Sequence, residues 1–187
     1  MRDRNYYRPD RPDLRRKALR GICAALVVAG LLWLAHCAIG CSRREAELST
    51  GRVMTAAELR LALPGFAGDE VFAVVRREAL PSLYANFRSV LSDQGLVKWD
   101  SRFDCNHFAA LFVSLSQTQF AVAAWHSSTK AQTLALAEVW YRPAAGVRGH
   151  AVVAAVTDGG LVFLEPQTGA EIQLTAAERG TIYLCKW

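Results

Sequence analysis

The stretch Gly149-His150-Ala151-Val152-Val153-Ala154-Ala155-Val156-Thr157-Asp158-Gly159-Gly160-Leu161-Val162-Phe163-Leu164-Glu165 holds two apolar, β-branched runs on either side of Thr157-Asp158-Gly159-Gly160. Strand formers flanking an Asp-Gly-Gly signal predict an antiparallel hairpin, with strands over 148–156 and 161–165. A two- or four-residue turn sets Gln167 opposite His150 and Glu165 opposite Val152, one diagonal step from His150 on the same side of the sheet. A three-residue loop reverses that facing. A carboxylate after Val162-Phe163-Leu164 is costly to bury alone, and this register offers it the imidazole.

Further strands are expected over 71–75, 133–141, 171–174 and 181–186. The helices come earlier. Thr55-Ala56-Ala57-Glu58 has the form of a capping box and opens a short helix that ends before Pro64. Pro81 leads a helix with apolar positions 83, 84, 87, 90 and 91, closed by Gly95. Phe108, Leu111, Phe112 and Leu115 make a helical stripe from 105 to about 117, and Thr175 to Glu178 is a second capping box. Helices first and an antiparallel sheet second read as α+β.

At 187 residues, 52% of them apolar, the chain has room for one domain and an appendage. Its net charge of +5 belongs entirely to residues 1–20, a basic tail, and the remainder sums to zero. The folded part has no cationic surplus for phosphates, so nucleic acid is not expected as a partner. Residues 21–40 carry no formal charge, and as a helix they would span about 30 Å, enough for a bilayer core. Residues 21–41 therefore read as a transmembrane anchor or a lipoprotein-type signal peptide, with Cys41 of Ala38-Ile39-Gly40-Cys41 as the lipidation candidate. The basic flank keeps the tail cytoplasmic and the C-terminal domain outside, on the periplasmic or cell-surface side of the membrane. Residues 42–54 read as a polar linker, and 55–187 as the domain.

Asp104 is a good N-cap residue, which puts Cys105 in the first turn of its helix. Free helix N–H groups there favour thiolate over thiol and can hold an oxyanion. Taken alone, such a cysteine is a small buried hydrophobe; its partners change the reading. Cys105, His150 and Glu165 follow the logic of a nucleophile, a base and a carboxylate that orients the base. His107 cannot serve as that base, because residues two apart on a helix diverge. It reads as a solvated helix residue, and no paired Cys/His spacing suggests a metal site.

Asp104-Cys105, Phe108-Ala109, Glu138 with Trp140-Tyr141, Gly149-His150-Ala151 and Glu165-Pro166-Gln167-Thr168 together resemble the papain-like and transglutaminase-like cysteine proteases. Within that group they look most like the C-terminal protease domain of the fairy-ring mushroom agglutinin and related small phage and bacterial proteins. The resemblance covers 97–187. It implies a papain-like or transglutaminase-like fold and a thiol hydrolase, a membrane-tethered peptidase or acyltransferase working through a thioester. It also implies Cys105 as nucleophile, His150 as base and Glu165 as orienter, with Trp99 and Gln167 as oxyanion or orienting candidates. The family pattern has two further aspartates after the cysteine, where this chain has Asn106 and His107. Loss of two hard anionic ligands argues against a calcium requirement, and no cofactor is expected.

Two other classes stay open. An NlpC/P60-like peptidoglycan peptidase shares the chemistry and differs in substrate, so a peptide, a protein or peptidoglycan is the expected partner. A non-catalytic envelope binding module on the same fold, with a Cys105–Cys185 disulfide, would have no nucleophile.

Overall fold

The computed structural model describes residues 26–33, 35, 40, 44–125, 127–144 and 148–187. The chain divides into two units, Met1–Gly40 and Cys41–Trp187. In the first unit residues 26–33 are helical, with Leu26, Leu31, Leu32 and Trp33 exposed. Among the described residues no helix is long and apolar enough to cross a membrane. The membrane segment expected over 21–41 is therefore not shown, and its supporting features, the tail over 1–20 and Cys41, lie outside the described residues.

The second unit is a mixed α/β domain built on an eight-stranded sheet. In chain order it runs β1 (Ser49–Thr55), α1 (Ala56–Ala62), β2 (Val71–Val75), a 3₁₀ turn (Arg77–Ala79), α2 (Leu80–Asp93) and α3 (Cys105–Ala124). Then come β3 (Thr133–Leu134), β4 (Leu136–Tyr141), β5 (His150–Thr157), β6 (Gly160–Leu164), β7 (Glu171–Ile172), α4 (Ala176–Arg179) and β8 (Leu184–Lys186). Both capping boxes form. Thr55 and Thr175 each accept the N3 backbone N–H, while Glu58 and Glu178 reach back to the cap N–H.

The β5–β6 hairpin closes through a two-residue turn, with Thr157 paired to Gly160 and Val153 to Leu164. Gly160 takes a φ of 102°, a value that glycine adopts without strain. β5 also pairs antiparallel with β4, from Leu136↔Ala155 to Tyr141↔His150, and β4 with β8. The expectation of a purely antiparallel sheet needs correction at β2, which runs parallel to β3 and meets β5 in parallel at Val75↔Thr157. The reason is the connection: α2 and α3 cross over one face between β2 and β3, and a crossover returns the chain in the same direction. The domain also starts earlier than residue 55, because part of the expected linker pairs with β2 as β1.

The sheet is covered on both faces. Leu80, Leu83, Phe87 and Leu91 of α2 and Phe108, Phe112 and Phe120 of α3 pack on Val75, Leu134, Leu136, Val153 and Leu164. On the other face Leu59 and Leu63 meet Phe72, Val74, Val139, Val152, Phe163, Cys185 and Trp187. β5 contributes alternate residues to both cores, so it is buried on either side. Phe87 is fully buried, with its ring edge-on to Phe108 and Phe112 at 6.4 and 5.4 Å. Phe87→Ala should lower the unfolding free energy by about 3–5 kcal/mol. Leu61→Ala, on the exposed side of α1, should stay within about 0.5 kcal/mol in the same urea titration.

Candidate functional site

Asp104 takes an extended conformation at the N-cap of α3, and Cys105 is the first helical residue. The Asp104 carboxylate lies 2.8 Å from His107 Nδ1, and Phe103 stacks on the His107 ring at 5.7 Å. His107 thus fastens the helix start. Among the described residues no cluster of three metal-ligating side chains occurs.

His150 opens β5, at the end of the sheet nearest the start of α3. Its Nε2 lies 2.6 Å from Glu165 Oε2, across the hairpin and one diagonal step away, as the register requires. Glu165 Oε1 accepts the Gln167 backbone N–H at 3.1 Å, and the Gln167 carbonyl accepts the Tyr84 hydroxyl at 3.1 Å. The Glu165 carbonyl accepts the Gly169 N–H at 2.8 Å, closing a tight loop. Gly169, at φ 75°, lies so close to Tyr84 that a Cβ would fall 2.5 Å from its ring. The carboxylate is therefore held from both sides of its loop.

Cys105 lines the same cleft as His150 and Ala151, and the His150 side chain and the Ala151 backbone N–H both act on its thiol. With Nε2 committed to Glu165, Nδ1 is the ring nitrogen left to act on the sulfur. The bond to His150 lowers the Cys105 pKa most; burial and Asp104 oppose it, and the Ala151 N–H helps. His150 moves the other way, up to about 9, because its hydrogen bonds to Cys105 and then Glu165 outweigh burial. Both shifts favour the charged pair, a thiolate beside an imidazolium, over the neutral one.

This pair forms one wall of a cleft of about 270 Å³, lined by Asp104, Cys105, Asn106, Trp140, Gly149, His150, Ala151 and Tyr183. Trp140 and Tyr183 meet edge to face at 6.1 Å, and the Trp140 Nε1–H donates to buried Glu138 at 2.5 Å. A Cβ on Gly149 would fall on the Tyr183 hydroxyl, which explains glycine before His150. Trp99 is 60% exposed and does not line the cleft. Gln167 acts on Glu165 through its backbone N–H. Sequence reasoning does not mark the aromatic pair as site-forming. Trp140 stands in the Glu138-x-Trp140-Tyr141 motif, but nothing near Tyr183 in sequence marks it.

Cys185 lies in the core on the opposite face of the sheet from Cys105, and both thiols are free. The Cys105–Cys185 disulfide of the non-catalytic alternative is not formed. Burial alone pushes the Cys185 thiol up to about 12.

No protein-family model matches the chain, and no curated protein matches it. Several solved structures share its fold, two of them as follows. One is a PSL1a–E64 complex, at 22% identity and a TM-score of 0.54, covering 72% of this chain and 51% of that one. The other is Polyporus squamosus lectin bound to the human-type influenza-binding epitope Neu5Acα2-6Galβ1-4GlcNAc, at 20% identity and a TM-score of 0.55, covering 72% and 49%. The chain spans about half the length of each.

These lectin structures overturn the assignment to a papain-like or transglutaminase-like cysteine protease domain, and with it the reading as a peptidase, acyltransferase or other thiol hydrolase. The physical reason is that short motifs fix where side chains meet, whereas turnover needs a bound substrate in reacting geometry. The geometry at Cys105 has its own consequences.

The raised His150 contributes stability that is present below about pH 6.5 and lost as pH rises toward about 9. The lowered Cys105 contributes stability that is present above its ordinary value of 9.0 and lost as pH falls through its folded one. Unfolding free energies measured across this range should follow both trends. Iodoacetamide should modify Cys105 but not Cys185 at mildly acidic pH, with the modified residue mapped by mass spectrometry. Glu165→Gln keeps an acceptor for the ring but removes the negative charge that helps to raise His150, so it should slow that modification and move its pH midpoint upward. Equal rates in the wild type and Glu165→Gln would show that the carboxylate does not act on the thiol.

Proposed function

We propose that the Cys41–Trp187 unit is a binding module whose ligand is a carbohydrate, seated in the cleft over Cys105 and His150. The lining of the cleft carries this reading: Trp140 and Tyr183 stand beside the polar groups of Asp104, Asn106 and His150. Aromatic rings offer the apolar face of a sugar a platform, and carboxylate, amide and imidazole groups take its hydroxyls. The shared fold with a lectin bound to a sialylated epitope supports a glycan as the ligand class. For a domain outside the cytoplasm, an envelope glycan such as peptidoglycan is the natural choice.

A separate observation, the hydrogen-bonded series Cys105, His150 and Glu165, favours a second reading of the same cleft. Here Cys105 is a nucleophile toward an electrophilic ligand, His150 its ion-pair partner and base, and Glu165 the group that orients the ring.

Calorimetric titration with peptidoglycan fragments and with the trisaccharide Neu5Acα2-6Galβ1-4GlcNAc tests the first reading. Saturable binding is expected, weakened about tenfold or more, roughly 1.4 kcal/mol, in Trp140→Ala and Tyr183→Ala. Absence of saturation with every glycan, or full affinity in both variants, would sink it. E64 tests the second: preincubation should protect Cys105 from iodoacetamide in the wild type. An unprotected thiol would count against a nucleophilic site.

A further inference from the structure

A second concavity lies against Glu165, and neither reading of the cleft uses it. It is a cavity of about 230 Å³ walled by Leu80, Pro81, Tyr84, Phe112, Val153 and Leu164, with Arg77 and Glu171 among its charged lining. Glu165 lines this cavity and His150 lines the cleft, so the 2.6 Å hydrogen bond between them joins the two spaces.

We propose that this cavity is a binding site for a small uncharged apolar molecule, of the class of a short-chain alkylbenzene. Size gives the first argument. An apolar cavity of about 150 Å³ is enough to hold benzene, so the space here takes one ring and a few more carbons. Chemistry gives the second, because the polar groups around it are already engaged. Arg77 forms a two-point pair with Glu171, at 2.5 and 3.3 Å. Glu165 is taken by His150 and the Gln167 N–H, and the Tyr84 hydroxyl donates to the Gln167 carbonyl. A charged ligand would have to break one of these pairs, whereas an apolar one leaves them intact and packs on the walls of Leu80, Pro81, Tyr84, Phe112, Val153 and Leu164. Shape gives the third: the concavity opens at Arg77, Pro81 and Glu171, which gives a ligand a way in, while Phe112, Val153 and Leu164 at its buried end supply apolar contact.

The site has a consequence for the cleft. Its occupant touches Glu165, Pro166 and Gly169, three residues of the loop that aims the carboxylate at His150. Stiffening that loop alters how steadily Glu165 holds the imidazole, and through it the reactivity of Cys105.

The full chain is titrated with 4-fluorotoluene, followed by ¹⁹F NMR line broadening. The wild type should broaden the resonance saturably. Ethylbenzene should displace the probe at least tenfold more effectively than benzoate or benzylamine. Leu80→Trp and Val153→Phe, which fill the cavity, should abolish broadening while each keeps a cooperative melting transition. Saturating ethylbenzene should change the iodoacetamide rate at Cys105 by twofold or more, with no change in Leu80→Trp. Unsaturable broadening in the wild type overturns the site, as does displacement by benzoate equal to that by ethylbenzene. Saturable binding with an unchanged Cys105 rate overturns the coupling. The binding measurements use neither a glycan nor the thiol, so their failure is distinct from failure of either reading of the cleft.

Discussion

Burial of β5 on both faces is the constraint from which the domain is organised. The strand His150–Thr157 lies between β4 and β6 and sends Ala151, Val153 and Ala155 toward α2 and α3, and Val152, Ala154 and Val156 toward the opposite core. A strand buried on two sides tolerates no slip, since moving the register by one residue would exchange its faces completely. Three alanines in the run keep both layers close. Because that register is fixed, His150 emerges where the strand leaves the core, the Ala151 N–H points at the sulfur, and the hairpin delivers Glu165 to the ring.

The thiol site is accordingly a product of sheet geometry more than of the helix that carries Cys105. The largest influences on the thiol are His150, the first residue of β5, and burial, with the Ala151 N–H also contributing. Glu165 in turn depends on a loop braced by α2 through Tyr84, so the two helices reach the same centre from different directions. Three elements converge on one proton.

Much of this arrangement is legible in residues close together in the chain. The Asp-Gly-Gly turn fixes the hairpin register, and Thr55 and Thr175 announce their helices through chemistry completed within four residues. What escapes such reading is non-local. β1 looks like a tether because, between Ser49 and Thr55, only Ser49 and Met54 are buried, and its partner β2 decides that it is a strand. The parallel pairing of β2 is set by a crossover rather than by any composition in Val71–Val75. The family resemblance points to Trp99, whereas Trp140 and Tyr183 meet only because β4 and the approach to β8 are neighbours. The protease assignment fails for a related reason: a spacing of cysteine, histidine and carboxylate encodes proximity, and proximity is shared by sites that bind as well as by sites that turn over.

The two thiols face different fates because they occupy opposite sides of one sheet. Cys105 is in view of solvent, whereas Cys185 is sealed beneath Gly65 in a strand of three residues at the sheet margin, with the Trp187 indole fastened to the Leu63 carbonyl next to it. Cys185 can meet a reagent only when the C-terminal segment lifts. The molecule therefore carries an internal clock: the slow appearance of its second thiol measures how often the margin of the sheet opens, timed against a first thiol that is present throughout.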